Sequence, residues 1–244
     1  MLKTLTNNYF SSLLKHWHKI QLKKFSGTYF IKPKPSYVSQ FVGIYPQSIA
    51  DGDLLTNKKH IKEFGAKDSK EFSFWVWRDC GIACVKMILD VKAKKHSGKT
   101  MMQLTNEGIQ LDGYILYENK KFVDKGWFHT SLVDLLKTYG VPANTKKWQS
   151  IYSVANDILN NKLVILSIYI PGRSHIKADG SFLPKPRAKY CGHLVLATGL
   201  KMNGKQIEGI YVNDPRGLEK YQENTWMSQD TFNKIFSGRT IVAG

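Results

Sequence analysis

Cys80 stands at the start of a stretch that would be apolar on nearly every side if it formed a helix. Between Gly81 and Val91 only Lys86 and Asp90 are charged, and these two residues are one helical turn apart. A helix of this composition lies inside a protein rather than on its surface. A thiol at the first residue of such a helix meets unpaired backbone N–H groups and the positive end of the helix dipole, which favour the thiolate. The pattern is typical of a nucleophile, although a structural cysteine in a buried helix gives the same local sequence.

Two downstream strands that are predicted to form a hairpin supply partners for this thiol. The apolar runs 194–200 and 207–212 flank Asn203-Gly204, and Asn-Gly between apolar runs is typical of a two-residue hairpin turn. With these two residues at the centre of the turn, the register places His193 directly opposite Asp214. Directly opposed Cβ atoms are about 5 Å apart, which suits an imidazole–carboxylate hydrogen bond, although a bulge would shift this register. A cysteine, a histidine and an orienting carboxylate are the groups that thiol acyl transfer requires.

A zinc site is the competing interpretation of the cysteines. Cys80, Cys84, Cys191 and His193 make up a set of three thiols and one imidazole. Their spacings match zinc motifs poorly. Cys84 also falls in the apolar body of the predicted helix, where a free cysteine behaves as a small hydrophobic residue. We therefore expect no metal at this site.

These motifs together resemble the papain-like cysteine peptidases, in particular the bacteriocin-processing, double-glycine peptidases and their stand-alone relatives. The resemblance covers residues 36–244. It rests on Asp79-Cys80-Gly81-Ile82-Ala83-Cys84 with Met87-Ile88-Leu89, and on Gly192-His193-Leu194-Val195 and Asn213-Asp214-Pro215. The order of these motifs along the chain is fairly specific to the family.

The resemblance implies a papain-like α+β fold, in which a central buried helix carries Cys80 and an antiparallel sheet carries His193 and Asp214. The order of the predicted elements agrees, since helices come first and strands later. The implied activity is thiol-dependent hydrolysis of a peptide or isopeptide bond through these three residues. Helices are predicted over residues 101–109, 130–140, 151–159 and 227–236, and a core strand over 163–170.

One position departs from the family pattern. Such peptidases carry a glutamine shortly before the nucleophile, whose amide helps to bind the oxyanion, and here that place is taken by Phe74. Gln40, in Tyr37-Val38-Ser39-Gln40, resembles the glutamine-bearing strand displaced upstream by an insertion. The alternative donors are the backbone N–H of Cys80 and a tryptophan indole. We expect Gln40 to complete the site.

Two other functions of the same fold stay open from the sequence. One is a catalytically inactive module that binds a peptide, and the other is an acyl or peptidyl transferase with an amine acceptor in place of water. All three functions take a peptide or protein as partner, and none needs a cofactor. Specificity is expected to depend on the long basic segment 172–190, because loops of that length in a compact domain are usually functional or mobile.

Composition narrows the class of protein and its surroundings. The chain has 244 residues and 42% hydrophobic content, which suffices for one sizeable core. It lacks an apolar run long enough to span a membrane. Three cysteines without a secretory signal predict a reducing, cytoplasmic location. The net charge of +17, with lysines in 92–99 and 185–189 predicted to flank the site, indicates an acidic peptide or an anionic surface as partner, and no motif predicts specific nucleic-acid recognition.

The start of the chain has a different character from the rest. Residues 1–35 are predicted to be a basic amphipathic extension and linker, followed by a peptidase domain over 36–244. Residues 1–50 contain seven lysines and no Asp or Glu. A basic amphipathic helix suits an anionic membrane surface or a partner's groove, and the alternative is a helix packed on the body with a solvated basic face. A mitochondrial-type presequence is a third interpretation, although the segment lacks arginine. The apolar residues at helical spacing are Phe10, Leu13, Leu14, Trp17 and Ile20.

Overall fold

The computed structural model of the chain describes residues 2–43, 55–93, 95, 98–115, 117–119, 121–122, 124–171, 190–216 and 223–244. Over these residues the chain forms eight helices and nine strands. The helices are α1 (Leu2–Gln21), α2 (Lys58–Phe64), α3 (Ser69–Val76), α4 (Cys80–Lys92), α5 (Met101–Gln110), α6 (His129–Thr138), α7 (Ile151–Leu159) and α8 (Gln229–Ile235). The strands are β1 (Gly27–Phe30), β2 (Tyr117–Glu118), β3 (Lys121–Phe122), β4 (Ala143–Lys146), β5 (Leu163–Pro171), β6 (Tyr190–Asn203), β7 (Gln206–Asn213), β8 (Thr225–Ser228) and β9 (Phe236–Ala243).

The main sheet is antiparallel, with strand order β4-β9-β5-β6-β7-β8. Strand β6 is long enough to take two partners along one edge, since β5 pairs with residues 190–197 and β1 pairs with residues 199–202. Strands β2 and β3 form a separate small hairpin. The predicted α+β class is confirmed. None of the described helices is long and apolar enough to cross a membrane.

Helix α4 lies in the core, as its composition predicts. It packs against β6, α5 and α6. Every residue from Gly81 to Leu89 is buried except Lys86, which pairs with Asp90 at 3.2 Å on the outer face of the helix. Each large apolar side chain buried in this way stabilises the fold by about 1.5–3 kcal/mol. The core therefore fixes the position of the residue that begins the helix, Cys80.

The turn of the β6–β7 hairpin lies one residue further along than predicted. Asn203 pairs with Gln206, so Gly204 and Lys205 form the turn, and Ala197 rather than Val195 faces Val212. The predicted register is therefore wrong by two positions. Two irregularities, between Lys201 and Met202 and between Ala197 and Gly199, shift the pairing in opposite directions. They cancel, so the two-position difference persists to the end of the hairpin.

Contacts from the start of the chain explain this turn. Gly204 has a φ of 62°, a left-handed conformation that suits glycine, whereas Asn203 stays in the ladder. The Ser26 hydroxyl donates to Asn203 Oδ1 at 3.2 Å and accepts from the Gly204 N–H at 3.0 Å. The Phe25 N–H donates to the Gly204 carbonyl at 3.0 Å. The segment before β1 thus holds the turn in place.

Several predicted elements differ from the structure. Residues 37–40 do not form a strand, and the predicted helix 227–236 is divided among the end of β8, α8 and the start of β9. Segment 172–189, expected to govern specificity, and the lysines at 185–189 lie outside the described residues. Before residue 35, β1 pairs with β6 and the side chains of Leu22 and Ile31 are buried in the core. The division of the chain at residue 35 stays a prediction.

Candidate active site

Cys80 lies at the N-terminus of α4 and is partly exposed in a cavity of about 470 Å³. Asp79 precedes it in a short turn that follows α3, and its side chain makes no capping hydrogen bond to α4. The first N–H groups of the helix therefore have no side-chain cap from this residue. The described residues that line the cavity are Gln40, Trp77, Arg78, Cys80, Tyr114, Asp124, Lys125, Gly126, Trp127, His129, Ser167, Ile170, Cys191, Gly192, His193, Leu194 and Arg216.

His193 and Asp214 meet at the open end of the hairpin. His193 lies on β6 opposite Ile168 of β5, and Asp214 follows directly after β7. His193 Nε2 is 2.6 Å from Asp214 Oδ1. Side chains alternate between the two faces of a sheet, so a register difference of two positions leaves His193 on the predicted face. His193 and Asp214 therefore form a diagonal pair instead of a directly opposed one.

The charges of this pair support each other. Burial opposes a charged imidazole, but the Asp214 carboxylate and the nearby Cys80 side chain raise the pKa of His193 to about 10. Burial likewise opposes the charged carboxylate, yet His193 and the backbone N–H and side chain of Arg216 hold the pKa of Asp214 below its ordinary value. At neutral pH the site therefore contains an imidazolium beside the Cys80 side chain, held by a carboxylate.

Hydrogen bonds from distant segments anchor the end of the hairpin. The Tyr37 hydroxyl donates to the Asp214 carbonyl at 2.9 Å, and the Gln40 N–H donates to the Pro215 carbonyl at 2.9 Å. The Asn213 side chain accepts from the Asn224 N–H at 2.9 Å and contacts the sulfur of Met87 in α4 at 3.4 Å. The backbone around Asp214 is thus held in place by contacts from three other segments.

Gln40 lies at the same cleft as Cys80 and His193. Its Nε2 donates to the Val76 carbonyl at 2.7 Å, and Val76 is the last residue of α3, just before the turn that leads to Cys80. A side-chain amide has two N–H donors, so one is left after this bond. The side chain is buried, and Oε1 has no hydrogen-bond partner among the residues that the structure describes. Gln40 lies next to the end of α3 although 36 positions separate it from Val76 along the sequence.

Phe74, which occupies the family's usual glutamine position, is not among the described residues that line the cavity. Its ring packs under the Arg78 guanidinium, whose central carbon is 3.8 Å from the ring centroid. Arg78 is buried and pairs with Asp124 at 2.9 Å, and the Tyr114 hydroxyl donates to the other oxygen of Asp124. Arg78, Tyr114 and Asp124 form a wall of the cavity that the sequence did not predict. Arg78 lies far from the other two in the chain, and together they match no motif.

The three cysteines have different environments. Cys84 is fully buried in α4, and burial, followed by the charges of Cys80 and Asp214, raises its pKa. Cys191 is partly exposed and lines the cavity on β6. All three are free thiols. In the part of the chain that the structure describes, no three His, Cys, Asp or Glu side chains group as metal ligands.

A model of the Peptidase_C39 like family matches residues 66–240. The match covers more than half of the chain, so this chain belongs to the Peptidase C39-like family. The resemblance predicted from the sequence is confirmed at this level, and family and fold together point to a cysteine peptidase. No curated protein is significantly similar to the chain.

Three solved structures have a related arrangement at low similarity. One is a C39-like peptidase from Bacillus anthracis, with 17% identity and a TM-score of 0.45, covering 68% of this chain and 88% of that chain. Another is a double-glycine motif protease from an AMS/PCAT transporter in complex with the leader peptide, with 15% identity, a TM-score of 0.38, and coverage of 68% and 83%. The third is the peptidase domain of Streptococcus ComA, a bi-functional ABC transporter involved in quorum sensing, with 16% identity, a TM-score of 0.41, and coverage of 69% and 92%.

Proposed function

We propose that this chain is a cysteine peptidase that cleaves peptide or isopeptide bonds with Cys80 as nucleophile, His193 as acid and base, and Asp214 as the group that orients His193. The observation that carries the proposal is the 2.6 Å contact between His193 Nε2 and Asp214 Oδ1, with the Cys80 thiol on the same ring. Since Nε2 is occupied by Asp214, Nδ1 is the nitrogen available to the thiol.

The reaction follows from this geometry. His193 takes the proton of the Cys80 thiol and becomes imidazolium, and the thiolate attacks the carbonyl carbon, so that a C–S bond forms as the carbonyl π electrons move to oxygen. The imidazolium gives its proton to the leaving amine as the carbonyl re-forms and the C–N bond breaks, which leaves a thioester. The neutral His193 then takes a proton from water, whose oxygen attacks the thioester, displaces the Cys80 thiolate and releases the acid.

Gln40 serves as oxyanion donor in this proposal. Its remaining N–H projects from a side chain already held by the Val76 carbonyl, so the donor is positioned before substrate arrives. A buried donor held in this way stabilises the transition state more than the same hydrogen bond would in water, because no solvent has to reorganise.

The substrate is proposed to be an acidic peptide segment. Lys125 and Arg216 line the cavity, and the chain carries a net charge of +17. A cleft with basic residues on a basic protein concentrates acidic ligands, and the effect weakens as salt screens it. Cleavage of acidic peptides should therefore lose kcat/KM with increasing ionic strength, whereas cleavage of neutral peptides should not.

Selective alkylation tests the nucleophile. The native protein is treated with limiting iodoacetamide at neutral pH, and the modified cysteines are located by peptide mass spectrometry. Cys80 should react well before Cys191, although both are partly exposed and line the same cavity. Equal reaction of the two thiols, or faster reaction of Cys191, contradicts an activated Cys80.

Turnover is tested separately on a library of proteome-derived peptides. Cys80→Ala and His193→Ala should each abolish cleavage, and Cys84→Ala tests loss of a thiol outside the reaction. Cys80→Ala should leave the thermal unfolding temperature nearly unchanged, whereas His193→Ala should lower it, because the buried Asp214 carboxylate loses its partner. Full cleavage by Cys80→Ala rules out the thiol mechanism. Selective labelling of Cys80 without any cleavage, in hydrolysis or in transfer to an added amine, assigns the chain to the inactive binding module instead.

A further inference from the structure

Helix α1 turns its apolar side chains toward solvent. Leu13, Trp17 and Ile20 are 52%, 55% and 56% exposed. On a helix with about 100° per residue, these positions fall within about 60° of one another and form one stripe. Side chains of this size exposed together, unlike single exposed apolar residues, mark an interaction surface.

The opposite side of α1 is fixed to the body of the protein. His18 is buried and lies about 130° around the helix from the stripe, and Leu22, just after the helix, is buried too. His18 Nδ1 is 3.0 Å from the Ser150 hydroxyl at the N-cap of α7, and the Lys205 ammonium donates to the Ile20 carbonyl. These polar contacts set the rotation of the helix. The outward direction of the apolar stripe is therefore a property of the folded protein.

The stripe lies in basic surroundings. Lys15, Lys19, Lys23 and Lys24 are exposed, and no Asp or Glu occurs anywhere in residues 1–50. The ammonium of Lys19 lies over the Tyr152 ring at 5.8 Å, and Lys23 bonds Asn160, so these lysines extend over α7 rather than across the stripe. The stripe includes an exposed tryptophan, and the exposed lysines lie on the other faces of α1 and just after its C-terminal end. An apolar stripe on such a basic helix matches the side-chain pattern of helices that lie in a membrane interface.

We propose that α1 is the docking surface for an anionic lipid bilayer, with Leu13, Trp17 and Ile20 inserted at the level of the lipid headgroups and the lysines at the phosphates. A second copy of the chain is the less suitable occupant, because each copy brings a net charge of +17 and the same exposed lysines, so two copies repel each other. This proposal goes beyond peptide cleavage and does not depend on it.

Vesicle co-sedimentation of the full chain tests the proposal. The probes are vesicles of phosphatidylglycerol and phosphatidylcholine in equal parts, and vesicles of phosphatidylcholine alone. The wild type should bind the anionic vesicles and leave the neutral vesicles largely unbound. Binding should weaken between about 0.01 M and 1 M salt, as the Debye length falls from about 30 to 3 Å.

Two sets of variants separate the apolar and the charged contributions. Leu13→Ser, Trp17→Ser and Ile20→Ser together should lower the affinity for anionic vesicles at least about tenfold. Lys15→Gln and Lys24→Gln should each lower it by up to about fivefold. The matched control is Ile109→Ser with Leu111→Ser, two apolar residues that are each 37% exposed on and after α5, and this pair should bind as the wild type does.

The exposed position of the stripe keeps this test independent of folding, and the thermal unfolding temperature of each variant verifies it. Unchanged vesicle binding by the triple serine variant overturns the proposal, as does wild-type binding that is equal on neutral vesicles. Absence of vesicle binding, together with a concentration-dependent dimer that the triple variant abolishes, assigns the surface to a second copy instead. A reduced affinity of the triple variant for anionic vesicles alone supports the bilayer.

Discussion

The Thr105 hydroxyl oxygen lies 2.6 Å from Asp79 Oδ2 and 2.9 Å from the carbonyl oxygen of Met101. A hydroxyl has one proton and can donate it to only one of these acceptors at a time. Both contacts are hydrogen bonds together when Asp79 is protonated, because the carboxyl then donates to Thr105 and Thr105 donates to Met101. Burial raises the pKa of Asp79 to about 8, which agrees with a neutral acid at pH 7. The residue beside the candidate nucleophile therefore adds no negative charge to the site.

Replacing Asp79 by asparagine should remove a pH dependence of stability. The unfolded carboxyl ionises near its ordinary pKa of 3.8, whereas the folded one keeps its proton up to about 8. Between these values the unfolded state binds fewer protons, so wild-type stability falls with rising pH by up to about 1.4 kcal/mol per pH unit. In urea unfolding, the unfolding free energy of Asp79→Asn relative to that of the wild type should thus increase from pH 5 to 8. Asp134→Asn, an exposed control, should track the wild type, and a parallel curve for Asp79→Asn would contradict the neutral acid.

Replacing Asp214 by asparagine should shift the alkaline limit of activity. Because the Asp214 charge is a principal cause of the raised pKa of His193, the imidazolium of the variant should lose its proton at lower pH. Wild-type kcat/KM is expected to fall as pH rises through about 10, and that of Asp214→Asn at least one unit earlier, with a reduced but measurable kcat. The measurement is the pH profile of cleavage, with Asp90→Asn as control. An unmoved alkaline limb would show that Asp214 does not set the charge of His193.

The same pair should contribute to stability over a defined pH window. The folded pKa of His193 is raised, so its contribution is complete below the unfolded value of 6.5 and is lost as pH rises toward about 10. The folded pKa of Asp214 is lowered, so its contribution is lost as pH falls below the ordinary value of 3.8. In urea unfolding, the difference in unfolding free energy between wild type and Asp214→Asn should be largest between about pH 3.8 and 6.5. A gap that persists unchanged above pH 10 would not fit this linkage.

Gln40→Ala should lower kcat by about 10²–10³-fold with little change in KM, as expected when one oxyanion donor is lost. The variant also loses the bond to the Val76 carbonyl, so its thermal unfolding is measured in parallel. Gln149→Ala is the control, since that amide donates to the Lys147 carbonyl at the surface. A Gln40→Ala enzyme with normal kcat would transfer the role to the Cys80 N–H or to an indole.

Gly81→Ala should destabilise the protein by about 1–3 kcal/mol, because an added methyl group overpacks the core. A Cβ at this position would lie 2.9 Å from Leu132 Cδ1 and 3.1 Å from Leu194 Cδ1. Leu194 follows His193, so kcat should fall to the extent that relief of this contact displaces the β6 backbone and with it the imidazole. For stability the control is Gly192→Ala, where a Cβ meets none of the described residues within 4 Å. Equal unfolding free energies of the two variants would contradict tight packing at Gly81.

The sequence predicted the parts of the site that local rules decide. The apolar composition of 81–89 determines a buried helix wherever the rest of the chain lies, and alternation along β6 and β7 determines which face carries His193. The exact pairing depended on Phe25 and Ser26, which reach the turn from the other end of the chain. No local pattern contains that information, so the register was wrong while the face was right.

The elements that the sequence missed depend on long-range pairing. β9 contains Gly238 with a φ of 77°, and its sequence is a weak match to a strand pattern. It nevertheless pairs with β4 on one side and with β5 on the other. The wall formed by Arg78 and Asp124 likewise joins segments with no shared periodicity. Gln40 was assigned to the site by resemblance to the family rather than by its spacing from Cys80. Its bond to the Val76 carbonyl shows that segments far apart along the sequence lie side by side at the site.

The position of β9 has a consequence for how the protein folds. Ala243 of β9 pairs with both Ala143 and Leu163, so β9 lies inside the sheet although these partners are far away along the sequence. Such distant contacts form slowly, because the intervening chain must be ordered before they stabilise anything. Before β9 has paired, the facing edges of β4 and β5 are open to wrong partners. The strand that carries Ile168, the sheet partner of His193, is therefore an interior strand only once β9 has paired with it.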